Sequence, residues 1–262
     1  MIVNTKAIPS LAKKGMRLDG RGLLDFRGPI TVTTGFAGTA EGSSRVQIGD
    51  TVVIAGVKLS LEKPYPDTPE EGGIMINAEL TPMSSSEYEP GPPRMKAVEI
   101  ARVVDRTIRE AKAIDFKKLC VKKNELAWFV SIDVVTINDA GNVFDAASLA
   151  VLAALDNTTL RDFDAETFAV DYKSKTKKKL PLTKSPIAVT VYKVGGKFLV
   201  DPTSEEEKSH QARLTIGSDE KKIISALQKG GDEPITIDDV SEMVDIALEK
   251  ASFLRKIYLG KK

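Results

Sequence analysis

From Pro29 to about Leu80 apolar and polar residues alternate in short runs, ITVTTGFA, SSRVQIGDTVVIAGVKLSL and GIMINAEL, the period of two that half-buried strands require. Gly49-Asp50 falls between Val46-Gln47-Ile48 and the β-branched run Thr51-Val52-Val53-Ile54, which predicts a hairpin. The segment reads as an antiparallel meander. EKPYPDTPEEGG (from Glu62) and SSSEYEPGPP (from Ser84) each carry three prolines and read as loops. After Pro93 the period changes: Ala97, Ala101, Val104, Ile108 and Ala111 recur at spacings of three and four, predicting a helix from about Arg94 to Ala113. Strands are expected at Leu119 to Lys122 and Ala127 to Ile137, then a turn over Asn138-Asp139-Ala140-Gly141-Asn142 and a second helix through AASLAVLAALDN.

Beyond the lysine-rich stretch YKSKTKKKLPLTKSP (Lys173, Lys175, Lys177, Lys178, Lys179 and Lys184), read as a connection or exposed hairpin, the logic repeats. Strand PIAVTVYKV, a hairpin at Gly195-Gly196, strand KFLVDP, an acidic turn TSEEEKS and strand ARLTIG precede two helices. The last helix is expected to open with a capping box at Thr236-Ile237-Asp238-Asp239 and to bury Val240, Val244, Ala247, Leu248, Ala251 and Leu254. Two halves of strands followed by helices indicate an α+β architecture rather than a regular doubly wound sheet.

The 262 residues carry 38 Lys plus Arg against 37 Asp plus Glu, so no global field favours polyanions and any such site must be a local patch. One cysteine, Cys120, and one histidine, His210, exclude an internal disulfide and a Cys/His zinc cage. Cys120, between Leu119 and Val121, is expected in the core and His210 in solvent. Apolar runs such as Val130 to Ile137 are broken by Ser131 and Asp133, far short of the roughly 20 residues that span a bilayer. The N-terminal MIVNTKAIPSLAKK shows no apolar leader, so an intracellular, cytoplasmic protein without a membrane partner is expected. Walker, GxGxxG and GxSxG strings are missing.

On the first long helix, Arg106 and Arg109 fall within about 40° of Arg102 at 100° per residue, opposite the apolar stripe. This arginine edge suits an anionic partner; it equally suits a solvated face neutralised by Glu99, Asp105 and Glu110. Arg17, Asp19, Arg21 and Arg27 surround a turn at Asp19-Gly20, fitting either phosphate contact or an interface strand. Asp133, Asp139, Asp145 and Asp201 sit in apolar runs or at strand ends, where catalysis, divalent metal binding or ordinary turn chemistry would place them.

Several strings, in order, resemble the ribonuclease PH family, and within it the non-catalytic ribonuclease PH-like subunit of the archaeal exosome. They are RLDGRGLLDFR (Arg17 to Arg27), GSSRVQIGDTVVIAGVKLSLEKP (from Gly42), GGIMINAELTPMSSSEYEPGPP (from Gly72), EIARVVDRTIREAKAID (from Glu99), NDAGNVFDAASLAVLAAL (from Asn138) and LVDPTSEEE (from Leu199). The resemblance implies a ribonuclease PH-like fold of two β-α sub-units in one compact domain. With an N-terminal arm the first covers 1–165, the lysine-rich connection 166–186 and the second sub-unit 187–262. It further implies a trimer of heterodimers with a catalytic paralogue, RNA-binding cap subunits, and phosphorolysis of single-stranded RNA from its 3′ end.

Where active members of the family carry Asp-Gly-Gly, a small hydroxyl residue and an arginine to hold the attacking phosphate, this chain reads Asp139-Ala140-Gly141-Asn142-Val143. Asp201, Glu205 and Glu206 match the first acidic group, but Arg213 stands in the place of the second aspartate. The resemblance therefore implies a subunit with no catalytic residue, metal or cofactor of its own, contacting RNA through Arg94, Arg102, Arg106 and Arg109. Two other readings stand beside it: an active phosphate-dependent 3′-to-5′ exoribonuclease, and a small-molecule enzyme with Asp133, Asp139 and Asp201 as a metal site.

Overall fold

The structure is a computed structural model, described for residues 7–164, 167–173 and 176–260. Lys175 of the lysine-rich stretch lies outside the described residues. A short helix, α1 (Ile8–Lys13), precedes strands β1 (Ile30–Thr34), β2 (Gly42–Ile48), β3 (Thr51–Glu62) and β4 (Gly73–Leu80). Helix α2 (Met95–Glu110), strands β5 (Cys120–Lys122) and β6 (Leu126–Asn138) and helix α3 (Val143–Asn157) complete the first half. A small hairpin, β7 (Asp162–Phe163) and β8 (Val170–Asp171), leads to β9 (Ile187–Val194), β10 (Lys197–Val200), α4 (Ser204–Glu207), β11 (Ala212–Ser218), β12 (Ile224–Gly230) and the long α5 (Ile237–Leu259).

The first sheet runs β1-β2-β3-β6-β4 with β5 beside β6, and the second runs β10-β9-β11-β12. α3 packs on β2 and β3 on one side and on β9 on the other. This placement explains its sequence: a helix between two sheets has no wet face, and every residue from Val143 to Leu155 is buried. Small residues let the layers close up. A Cβ on Gly42 of β2 would stand 2.4 Å from the Ala154 carbonyl of α3. One apolar cluster continues from Val46 and Val130 through Leu149 to Val189, Met243 and Leu254, so both halves share a core.

Three expectations are corrected. The meander stops at β3, because β4 pairs with β6 in parallel. Parallel neighbours need a crossover, and α2 supplies it, so GIMINAEL, α2 and β6 form a β-α-β unit. TSEEEKS is helical: Thr203 accepts from the Glu206 N–H, and Glu206 reciprocates on the Thr203 N–H, in a capping box written in the sequence as T-x-x-E. The second half contains one long helix after β11, not two. ISALQKG instead returns as β12, because Asp219 accepts from the Lys221 and Ile223 amides (3.0 and 2.9 Å) and turns the chain into a hairpin. The pattern also left IPSLAK in the N-terminal arm unassigned; it forms α1, burying Ile8 and Ala12 against Tyr192, Val194 and Leu199. The capping box at Thr236 is present as expected, with the Asp239 N–H donating to its hydroxyl at 3.1 Å.

Candidate functional site

β6 ends at Asn138, and the turn that follows delivers the chain to the N-terminus of α3, a place where backbone amides ordinarily await an anion. Gly141 at φ +98° is required there: a Cβ would meet the Pro202 carbonyl at 2.4 Å. Asn142, at φ +61° and fully buried, is the N-cap position. The amides of this turn are already engaged. Ala140 N–H donates to the Thr51 hydroxyl (3.2 Å), Gly141 N–H to Asp139 Oδ1 (2.9 Å) and Asn142 N–H to Glu207 Oε1 (3.1 Å). On the carbonyl side, Arg27 donates to Ala140 (2.6 Å) and Gly141 (3.0 Å), and the Thr51 hydroxyl donates to Gly141 (2.5 Å).

Protein carboxylates thus hold two of the amides that would cradle an anion, and Lys96 of α2 bridges the same two. Its ammonium lies 3.2 Å from Asp139 and 3.3 Å from Glu207. Burial alone would depress the Lys96 pKa, but Glu207 and Asp139 outweigh it and drive the pKa well above the ordinary lysine value. Asp139 shows the mirror effect: burial pushes it up, while Lys96, the Tyr88 hydroxyl and the Gly141 amide hold it below the ordinary carboxylate value. The Tyr88 phenol, half-buried and donating to Asp139, is pushed up to about 12, first by burial. Tyr192 donates to Glu207 at 2.9 Å and is raised well above its ordinary value, chiefly by burial. Lys96, Asp139, Tyr192 and Glu207, with Glu99, His210 and Arg213, line a cavity of about 530 Å³ in which cations and carboxylates stand interspersed.

The remaining acids of this region are similarly committed. Asp201, fully buried at φ +49°, takes a bidentate contact from Arg27 (2.8 and 2.9 Å), one from Arg21 (3.1 Å) and one from the Asn142 amide (2.9 Å). Glu206 takes Arg17, Nε to Oε1 at 2.9 Å, inside the protein. The arginines around Asp19-Gly20 therefore anchor the N-terminal arm to α4 and the segment before it; Arg17 and Arg27 spend their donors on the chain itself. Glu205 is the member of the acidic group with no side-chain partner among the described residues. Arg213 stacks over Phe144 at 4.5 Å and donates to Glu99 at 2.6 Å.

Asp133, Asp139 and Asp201 are not gathered as a metal reading requires. Asp133 is exposed beside Asn77 and Asp201 is enclosed by guanidinia; no cluster of three or more potential ligands occurs among the described residues. Asp145 is fully buried and its pKa rises well above the ordinary value because of that burial. Its Oδ2 and the neighbouring Asn142 Oδ1 are buried oxygens without a hydrogen-bond partner among the described residues. His210 is half-buried rather than in solvent: its Nδ1 meets the Glu207 carbonyl and its ring stands edge-on to Tyr192. Cys120 is half-buried on the short strand β5 instead of deep in the core.

The arginine edge takes a different form from the enclosed turn. Arg102 is exposed and has no ion pair among the described residues. Arg106 donates to Gln228 of β12. Arg109 pairs with half-buried Asp105 at 3.1 Å and exposed Glu110 at 2.9 Å. Glu99 turns to Arg213, leaving Arg102 unneutralised. Arg94 stands apart at the N-cap of α2, paired with Glu89 beside Pro92 and Pro93. The lysines of the stretch between the halves are exposed at Lys173, Lys177, Lys178 and Lys179, while Lys184 pairs with Asp219 at 3.1 Å.

Two stacked β-α halves around a turn at the head of α3 define a ribonuclease PH-like protein. Residues 26–161 match the model of the 3′ exoribonuclease family, domain 1, and residues 184–250 that of domain 2. The chain belongs to this family, the ribonuclease PH family. It is 44% identical over 252 residues to the exosome complex component Rrp42 of Methanosarcina acetivorans, covering 96% of this chain and 92% of that protein. The Rrp42 of Methanothermobacter thermautotrophicus is 43% identical over 259 residues, 99% of this chain and 95% of the relative. Among solved structures, a chain of the Archaeoglobus fulgidus exosome with RNA bound to the active site superposes with a TM-score of 0.89 at 39% identity, covering 97% of each chain. Rice Rrp46, at 19% identity and TM-score 0.68 over 92% of this chain and 97% of its own, shares the fold.

Proposed function

We propose that the chain is a non-catalytic ring subunit of an archaeal RNA exosome, assembling with a catalytic ribonuclease PH-like paralogue as a trimer of heterodimers and carrying RNA-binding cap subunits. The likeness to Rrp42 proteins over nearly the whole chain supports the subunit assignment. The archaeal origin of those relatives supports the cytoplasm as its compartment.

One observation carries the inactivity: the turn that should cradle an attacking phosphate has given its Gly141 and Asn142 amides to Asp139 and Glu207, and Lys96 locks both acids. Phosphate entering there would have to displace a carboxylate and face its charge. Asn142 and Val143 offer no guanidinium in exchange. Asp201 cannot serve as acid or metal ligand while Arg21 and Arg27 hold it, and Arg213 brings a positive charge where the reaction needs a carboxylate.

The subunit contributes a wall of the RNA path. Arg102, Arg106 and Arg109, with Arg94 toward the head of α2, contact phosphates of single-stranded RNA without reading bases. The test is to incubate the purified chain alone with RNA and inorganic phosphate, and the chain with its paralogue in parallel. Nucleoside diphosphates are expected only from the mixture; release by the chain alone would establish the active-exoribonuclease reading instead.

A further inference from the structure

A second concavity opens where α2 ends. It has a volume of about 550 Å³ and lies between the loop joining β3 to β4 and the segment after α2. Tyr65 forms one wall. This side chain is 55% exposed, more than any other aromatic among the described residues. Its ring stands edge-on to Phe129, with centroids 5.5 Å apart at 79°.

The loop that carries Tyr65 is braced. Thr68 N–H donates to the Tyr65 carbonyl (3.1 Å), Gly72 N–H to the Phe116 carbonyl (2.9 Å) and Asn124 N–H to the Pro69 carbonyl (2.9 Å), while Pro64, Pro66 and Pro69 restrict its backbone. A flat apolar face is therefore held in place before anything arrives, which removes an ordering cost from binding.

The opposite rim is cationic. Arg109, Lys112 and Lys117 line the cavity, and neither lysine forms a salt bridge among the described residues. Lys112 sits at φ +54°, its N–H on the Arg109 carbonyl (2.9 Å) and its own carbonyl accepting from the Thr183 hydroxyl (2.9 Å). A lysine in this left-handed region persists only because its surroundings fix it. The carboxylates on the lining are Glu71 and Asp115, the latter paired with Lys118 at 3.3 Å. Arg109 belongs both to this cavity and to the arginine edge, whose rise from Arg102 spans about 10 Å along α2. A fixed aromatic face beside free cations is the pairing that sequence-tolerant binding of single strands uses.

We propose that this cavity holds one nucleotide of single-stranded RNA, its base stacked on Tyr65 and its phosphate between Lys112 and Lys117, continuing the path that begins at Arg102. The proposal rests on the ring-subunit reading for the presence of RNA; the cavity and its chemistry do not depend on it.

The full chain is assembled with its catalytic paralogue and titrated with a fluorescent oligoadenylate. Tyr65→Ala is expected to weaken binding about tenfold, Tyr65→Phe to restore it, and Lys112→Ala with Lys117→Ala to reduce the slope of log affinity against log salt by about 1.4. RNA containing 5-iodouridine, irradiated on the same complex, is expected to give an adduct on the Tyr65 peptide. Wild-type affinity in Tyr65→Ala together with no such adduct overturns the proposal, as does a Tyr65→Ala variant that loses cap subunits while the bare ring binds RNA normally. Arg102→Ala with Arg106→Ala is measured alongside. If that pair weakens binding and Tyr65→Ala does not, the cavity assignment alone falls; if the assembled ring binds no RNA, the ring-subunit reading falls with it.

Discussion

The turn at the head of α3 and the outer edge of α2 are both dense in charge, yet they have opposite fates. At the turn every cation meets an acid inside the protein: Lys96 with Asp139 and Glu207, Arg27 with Asp201, Arg17 with Glu206. On α2, Arg102 stays in water without an ion pair among the described residues, and Arg109 keeps partners at or near the surface, which contribute little. The difference teaches that anion binding depends on donors left free rather than on the number of positive residues. The turn retains the backbone path of an anion cradle, but its donors are already occupied. The edge has no cradle, and its donors lie at the surface: Arg102 is without an ion pair among the described residues, and Arg109 is paired with Asp105 and Glu110 near the surface.

That contrast can be broken at its inner side first. Arg27→Met leaves buried Asp201 with Arg21 as its remaining cation and strips the turn carbonyls of a donor; the expected loss is about 3 kcal/mol, or roughly 6–12 °C in melting temperature. A variant melting with the wild type would show the pair to be dispensable.

Lys96→Met is a smaller and pH-dependent lesion. In the wild type Asp139 is held below its ordinary value, so its contribution is present at neutral pH and disappears as the pH falls below about 4, where the folded protein also takes up the proton. The variant removes the chief counter-charge and leaves burial to push Asp139 upward. The gap in urea midpoint between wild type and variant should be widest near pH 7 and narrow on acidification; a gap that is constant across pH would mean that Lys96 acts through packing.

The outer side carries the smallest effect on folding. Arg102→Ala should change stability by less than about 0.5 kcal/mol. Combined with Arg106→Ala, it should lower RNA affinity of the assembled ring and flatten the salt slope by about 1.4, the share of two phosphates. Unchanged binding across a salt titration would return the edge to the status of a solvated face.

Periodicity exposed most of this fold. The stripe of α2, the hairpin between β2 and β3 and the largely apolar α3 are legible because each depends on neighbours within a few residues. Strand order is not local: β4 and β3 both flank β6, and a β-α-β unit had to be recognised before its parallel pairing could be. α4 was written as T-x-x-E and β12 as an aspartate-led turn, signals hidden by a surplus of acids in one case and a helix-compatible composition in the other. At the site, the loss of an arginine after Asn142 was visible in the sequence. The acids that fill the cradle were not, since Glu207 reaches the turn from 65 residues away and Arg27 reaches Asp201 across 174.

The span between Arg27 and Asp201 also orders events in the cell. At about 5–20 residues per second, a ribosome makes the second partner roughly 9–35 s after the first. For that interval the nascent first half carries Arg17 and Arg27 with no acid to receive them, and the head of α3 lacks the side chains that close it. The N-terminal arm thus waits for Asp201 and Glu206 before Arg27 and Arg17 can fix it in its seat.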